Sequence, residues 1–353
     1  MGRNDTGSMD SLSSMGFCTK AVKTIILAVL CIIGTIGTSA QQPGKPPAST
    51  SPDAPIKKYS IYIDWKDRVA HVYSVNHKTK VKRVFRDNLE LNYERNVTYF
   101  VSMSSIGIEK GFIKLQCNID SLRYSFTEGN STLYYDSQDE KKTTLKTEFP
   151  DFTSTFGMMN HQFMFLISPY GDVAKVTGIE QSGDLDWLRQ FVDESGTAMD
   201  TLQKLLWYSV MSDENLKMIA DISKGLIAGK MQIKTDSVWT RNIGLRLDGL
   251  NFTDSAKVQV ASHTKDNIVI SGASTNLQPV LPQDARMFKI PGLGSVVSGN
   301  GSGTLRLDLT PRGTIKKQEV NYIADIEGKY KLENFKENIQ TTVSCTLLGQ
   351  YKW

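Results

Sequence analysis

Beyond about residue 58 the chain places apolar residues on alternate positions. Ile61, Ile63 and Trp65 alternate, then Val69, His71, Tyr73 and Val75, and the pattern returns over 98–103, 111–119 and 122–137. A period of two belongs to strands with one buried face. One phrase is written twice. Residues 163–173 read FMFLISPYGDV and residues 305–315 read LRLDLTPRGTI, 142 positions apart. In each, alternating apolar residues lead into Ser/Thr-Pro-x-Gly. Pro169 and Pro311 set φ for the second position of a turn, and Gly171 and Gly313 supply the positive φ that follows. Ser168 and Thr310 offer a side-chain oxygen to the local backbone. Looser echoes flank the phrase: ERNVTYFV (94–101) beside TRNIGLRL (240–247), and FIKLQCN (112–118) beside KVQVASH (257–263). The spacing predicts a mainly β (α+β) fold with two similar curved antiparallel sheets. The N-terminal β lobe covers 58–180 and the C-terminal β lobe 230–353.

Between the lobes the period changes. Trp187, Leu188, Phe191 and Val192, then Leu202, Leu205 and Leu206, then Leu216, Ile219, Ile222 and Leu226 fall at helical intervals. Ser212 followed by Asp213 and Glu214 reads as a helix start. Residues 181–229 therefore predict a central helical segment that joins the lobes and covers a sheet. The run GLGSVVSGNGSG (292–303) lacks the strand and helix context of a phosphate loop. It reads as an exposed flexible connection.

The front of the chain has a different character. Lys20 and Lys23 precede an apolar run over 24–36, followed by Thr38-Ser39-Ala40. This order predicts a signal peptide over 1–40; the run is short of the ~20 apolar residues that span a bilayer. Residues 41–57, QQPGKPPASTSPDAPIK, predict a disordered Pro/Ser/Thr-rich tether. The expected location follows: exported, to the periplasm, the outer-membrane periphery or the extracellular space. Beyond the leader, Cys117 and Cys345 each fall on an alternating apolar face. Two separate packed thiols are favoured, with one disulfide allowed in an oxidising compartment. The net charge of +4 is spread along the chain, so no nucleic-acid partner is expected. The basic run KTKVKR (78–83) reads as a solvated strand face.

The residues that carry catalysis are sparse. The four histidines, His71, His77, His161 and His263, have no metal-ligand spacing. No Gly-x-Ser-x-Gly elbow is present. We assign no catalytic residue, no metal and no cofactor, and expect no enzyme activity. The favoured reading is an exported non-catalytic envelope or secreted protein that binds a lipid or other apolar small molecule in a sheet–helix groove. Phe163, Phe165, Trp187 and Phe191 are the candidate lining, and any membrane association is peripheral. Two alternatives stay open. Val343, Cys345, Leu347, Gly349, Tyr351 and Trp353 alternate up to a terminal aromatic, as in an outer-membrane β-barrel. Asp64, Asp308 and Asp325 leave room for a secreted hydrolase with paired carboxylates. Oligomeric state is open.

The order of a helical middle, MQIKTDSVWT (231–240) and a late GSGTLRLDLTPRG (301–313) resembles a family of exported bacterial proteins known only as a domain of unknown function. The matching residues are Gly171, Val173 and Gly178, then Asp236 and Trp239, then Gly301, Gly303, Asp308 and Gly313. Thr235 stands where the family pattern has glycine, and one extra residue separates Asp236 from Trp239. The resemblance covers nearly all of the chain beyond the leader. It implies export from a diderm bacterium, and it implies no enzyme activity, since none is established for the family.

Overall fold

The alternating stretches form fifteen strands among the described residues of the computed structural model: β1 (Lys58–Tyr59), β2 (Val69–Phe85), β3 (Glu90–Glu109), β4 (Phe112–Glu128), β5 (Ser131–Asp136), β6 (Gln162–Ile167), β7 (Val173–Thr177), β8 (Ile233–Lys234), β9 (Val238–Leu247), β10 (Leu250–His263), β11 (Ile268–Pro279), β12 (Asp284–Arg286), β13 (Leu293–Leu309), β14 (Ile315–Tyr330) and β15 (Glu333–Lys352). The structure describes residues 58–144 apart from 60, 66–67 and 86–88, then 162–177, 233–234, 237–286 and 293–352. Met159, Ile219, Leu226 and Ile227 are described as isolated positions. The expected signal peptide and tether lie outside this set.

Thirteen strands make one antiparallel sheet. Its order is β7-β6-β4-β3-β2-β15-β14-β13-β11-β10-β9, with β5 added beside β4 and β12 beside β13. β1 and β8 form a separate two-stranded ladder. The sequence predicts two sheets; the structure has one continuous large sheet, because the lobes fuse where β15 pairs with β2 from Phe335 opposite Phe85 to Lys352 opposite Val69. Each would otherwise be a long edge with a row of unpaired backbone groups, and pairing satisfies both rows. The echo between the lobes is also imperfect. β4 neighbours β6 directly, whereas β11 intervenes between β10 and β13.

One face of the sheet is mainly apolar. On β2, Val69, His71, Tyr73, Val75, Thr79, Val81, Arg83 and Phe85 are buried, while Lys80 and Lys82 are exposed. Inward residues from β2 to β15 join a single hydrophobic cluster. The outward face is polar. Lys78 and Lys80 pair with Glu94 at 2.7 and 3.2 Å; Asn76 donates to Asn96 and Thr98, each at 2.7 Å. Farther along, Thr342 donates to Asn321 and Asn338 to Asp325, each at 2.8 Å. The basic run 78–83 is thus a strand face, as its alternation predicts, except that Arg83 points inward.

Residues 181–229, expected as a helical segment, lie outside the described residues except for Ile219, Leu226 and Ile227. Ile219 is in helical conformation and all three are buried in the cluster. No helical element is described there, so the central segment is not supported. The run 292–303, expected as a flexible connection, is instead mostly strand β13. Gly299, Gly301 and Gly303 recur every second position. A Cβ on Gly303 would collide with the ring of Tyr322, and one on Gly301 would press on the Ile323 carbonyl and lie 3.0 Å from Leu277 Cδ2. These glycines make room for the neighbouring strands' backbone and side chains rather than loosening a loop.

The two Pro-x-Gly turns share their hydrogen bonding. The Ser168 amide donates to the Asp172 carbonyl at 2.9 Å and the Gly171 amide to the Ser168 carbonyl at 2.9 Å. The Thr310 amide donates to the Thr314 carbonyl at 2.8 Å and the Gly313 amide to the Thr310 carbonyl at 2.9 Å. Gly171 and Gly313 adopt φ of 90° and 89°. Both turns hold the same passing chain. The Ile63 amide donates to the Pro169 carbonyl at 2.8 Å and the Asp64 amide to the Gly313 carbonyl at 3.2 Å. Residues 61–65 therefore lie across one end of the sheet, clamped by both copies of the phrase.

Candidate functional site

The inward face is the candidate binding surface, and strand pleating decides what it presents. Phe163 and Phe165 occupy alternate inward positions of β6 opposite Cys117 and Leu115 of β4, and all four side chains are almost fully buried. Trp187 and Phe191, the other two expected lining residues, lie outside the described residues. Pro169, Gly171, Pro311 and Gly313 sit in the paired turns at one end, away from any reactive cluster among the described residues. Leu226 reaches the inward face through its carbonyl, which accepts from Trp239 Nε1 at 3.2 Å.

The sheet curls until its edges meet. Arg241 on β9 and Asp172 in the turn before β7 form an ion pair at 2.7 Å. The turn between β9 and β10 reaches β3 as well: Tyr93 donates to Asp248, and Arg95 lies 3.7 Å from it. A wall of eleven successive strands thus encloses its own apolar face.

Polar groups are embedded in this interior, and sequence reading did not single them out. Arg83 of β2 and Glu337 of β15 form an ion pair, and each side chain is only 1% exposed. The Arg83 guanidinium also lies 5.3 Å from the centre of the Phe335 ring. Burial pushes the Glu337 carboxyl up to about 7, with the Asp248 charge adding to the rise and Arg83 opposing it. Burial, then Asp248, raises the Tyr93 hydroxyl. A second group centres on Asp254 of β10, which accepts from Ser274 and, at 3.0 Å, from Tyr322. Burial and the Asp254 charge raise the Tyr322 hydroxyl far above its usual range. The alternation held the signal: Arg83 lies between Val81 and Phe85, and Glu337 between Phe335 and Ile339, on inward positions.

At the clamped end, Trp65 stacks on His71 at 5.0 Å between ring centres, and His71 contacts Gln350 at 3.0 Å. His71 is buried, as its place on an apolar face predicts. Cys117 and Cys345 are buried thiols that form no disulfide. Burial, helped by Asp120, pushes the Cys117 thiol up to about 12, so a nucleophilic thiolate is disfavoured there. No group of three or more metal-ligating side chains occurs among the described residues. On the outward face, an open cleft of about 600 Å³ is lined by Lys82, Val84, Asp325, Lys336 and Asn338 among others. An adjoining one of about 680 Å³ reaches Val297, Lys329 and Asn334. Both carry mixed charge.

Comparison with known proteins gives the following. No curated protein matches the sequence. Among solved structures, lipovitellin, in a structure describing lipid–protein interactions, is similar at 9% identity and a TM-score of 0.42, over 82% of this chain. The match spans about a quarter, 26%, of the lipovitellin chain. OpdQ of Pseudomonas aeruginosa is similar at 9% identity and a TM-score of 0.19, over 79% of this chain and 99% of that one. OccAB4 of Acinetobacter baumannii is similar at 7% identity and a TM-score of 0.17, over 82% and 99%. These are weak structural likenesses. The sequence itself gives a definite assignment: residues 110–311 match the model of a family of unknown function, DUF6263, and the chain belongs to that family.

Proposed function

We propose that this protein is an exported, non-catalytic binding protein of the cell envelope or its surroundings, whose curled sheet holds an apolar, lipid-like molecule against its inward face. The observation that carries the reading is the eleven-strand wall whose edges are tied by Arg241 and Asp172. A closed wall of about eight strands is filled by its own side chains. Eleven enclose more room, lined here by apolar side chains. That room takes chain from between β7 and β9, as Ile219, Leu226 and Ile227 illustrate, together with an apolar guest.

Two features support this over the alternatives. A membrane-spanning barrel needs an apolar band facing outward, whereas here the outward face carries the Lys78–Glu94 and Asn76–Asn96 pairs. For a paired-carboxylate hydrolase, Glu337 is an acid that feels a neighbouring carboxylate, Asp248, yet the Glu337 side chain is sealed from solvent against Arg83. Export rests on the leader-like order of residues 1–40. Native mass spectrometry after gentle purification tests the binding reading, alongside titration with a fluorescent fatty acid. The expected result is a co-purified apolar mass, or saturable one-to-one binding. A clean mass with no saturable binding overturns it.

A further inference from the structure

We propose that the end of the sheet clamped by the Pro-x-Gly turns is a docking surface for anionic membrane lipid, with the tip of the β3–β4 hairpin as its apolar foot. The inference is independent of whether the interior holds a guest. The last residue of β3 paired to β2 is Ser104, opposite Ala70. Residues beyond it extend past the end of β2 while still paired to β4, with a register shift between Ser105 and Gly107. Ile106 and Ile108 on this overhang are 42% and 76% exposed. The same register places Tyr351 of β15 opposite Ala70. Tyr351 and Leu348 are exposed as well, and the Tyr351 ring lies over Gly349, 3.3–3.5 Å from where a Cβ would stand. Tyr62, on the clamped segment 61–65, adds a further exposed ring.

Charge selects lipid as the occupant. Exposed Arg68, Lys110 and Lys352 surround these apolar groups, and half-exposed Lys114 lies 4.0 Å from Glu109, the acid on the hairpin tip. Apolar residues flanked by cations and tyrosine match an anionic headgroup layer over acyl chains. The opposite end also exposes Leu89 and Leu332, but its Lys82, Lys329, Lys331 and Lys336 stand among Glu90, Glu327 and Glu333, with Lys82 3.0 Å from Glu90 and Lys336 3.2 Å from Glu327.

The test is co-sedimentation of the full chain with phosphatidylcholine vesicles, with and without phosphatidylglycerol. Ile106→Ser/Ile108→Ser should weaken binding to the anionic vesicles by about tenfold or more, given the apolar area removed. Lys110→Glu and Lys114→Glu should each cost about fivefold, and only on anionic vesicles at low salt. Leu89→Ser/Leu332→Ser, at the other end, should change nothing. All variants keep residues 1–57, so a difference between them reports the tip and not the leader. Equal binding by wild type and tip variants overturns the proposal. So does a concentration-dependent dimer that the tip variants abolish while vesicle binding stays unchanged, since the surface would then serve a second copy of the chain. Circular dichroism melts that match the wild type show that any loss is not unfolding.

Discussion

Arg241 on edge strand β9 and Asp172 in the turn before β7 meet at 2.7 Å although they stand at opposite ends of an eleven-strand path. A flat sheet would separate them by about 4.8 Å per strand step. Their contact is therefore a direct measure of how far the sheet curls. Both side chains are partly exposed, so the pair reports closure more than it stabilises it. A double-mutant cycle with Arg241→Ala and Asp172→Ala should give a coupling of about 0.2–1 kcal/mol at low salt. It should vanish near 1 M salt, where charges are screened within about 3 Å. A cysteine pair at positions 172 and 241 that fails to cross-link under mild oxidation means that the edges do not meet in solution.

The Arg83–Glu337 pair should respond to substitution quite differently, because it is sealed. Above about pH 7, where the carboxyl is ionised, Glu337→Ala removes the partner of the Arg83 charge and should lower stability by about 3–5 kcal/mol. The pH dependence runs opposite to that of a surface carboxylate. Folded, the carboxyl keeps its proton up to about 7, against an ordinary value of 4.5. Between those values the folded chain binds the extra proton. The stability this group contributes is present below about pH 4.5 and is lost as pH rises through about 7. Glu337→Gln mimics the protonated form, so it should gain on the wild type between pH 5 and pH 8 in urea melts. A constant difference across that range removes the assignment.

Glycines separate by surroundings. At Gly303 an added methyl meets the Tyr322 ring and disturbs its bond to Asp254, so Gly303→Ala should cost about 1–3 kcal/mol. At Gly313, with φ of 89°, the methyl would press on the Tyr62 carbonyl and stand 2.9 Å from the Asp64 amide. Gly313→Ala should cost at least about 1–2 kcal/mol from the left-handed backbone alone. Gly244 on β9 has open space around the same position, and Gly244→Ala should be neutral or stabilising by up to about 1 kcal/mol. Thermal melts of the three variants should fall in that order.

Gln318 is 1% exposed, and neither its amide oxygen nor its amide nitrogen has a hydrogen-bond partner among the described residues. It stands on β14 between Leu307 of β13 and Cys345 of β15. Burying an unpaired amide costs about 1–3 kcal/mol. Gln318→Leu should therefore raise the melting temperature. A lowered one would show that the amide is satisfied in solution by water or a bound molecule.

Much of this architecture is written in the chain as local periodicity. Inward and outward faces of β2, β4, β6 and β14 follow from alternation, because successive side chains on a strand point to opposite sides. The paired turns at Pro169–Gly171 and Pro311–Gly313 follow from residues that fix or free φ. The membership of Phe163, Phe165 and His71 in the core follows in the same way. Local pattern does not say which strand lies beside which. That β2 accepts β15 and merges two expected sheets, that Gly303 of β13 lies under Tyr322, and that Arg83 finds Glu337 are outcomes of pairing over 250 positions or more for β2 with β15 and about 20 for Gly303 with Tyr322. Those contacts depend on backbone groups that every residue carries alike. Only the assembled sheet, by satisfying them all at once, selects among the registers that the sequence leaves equal.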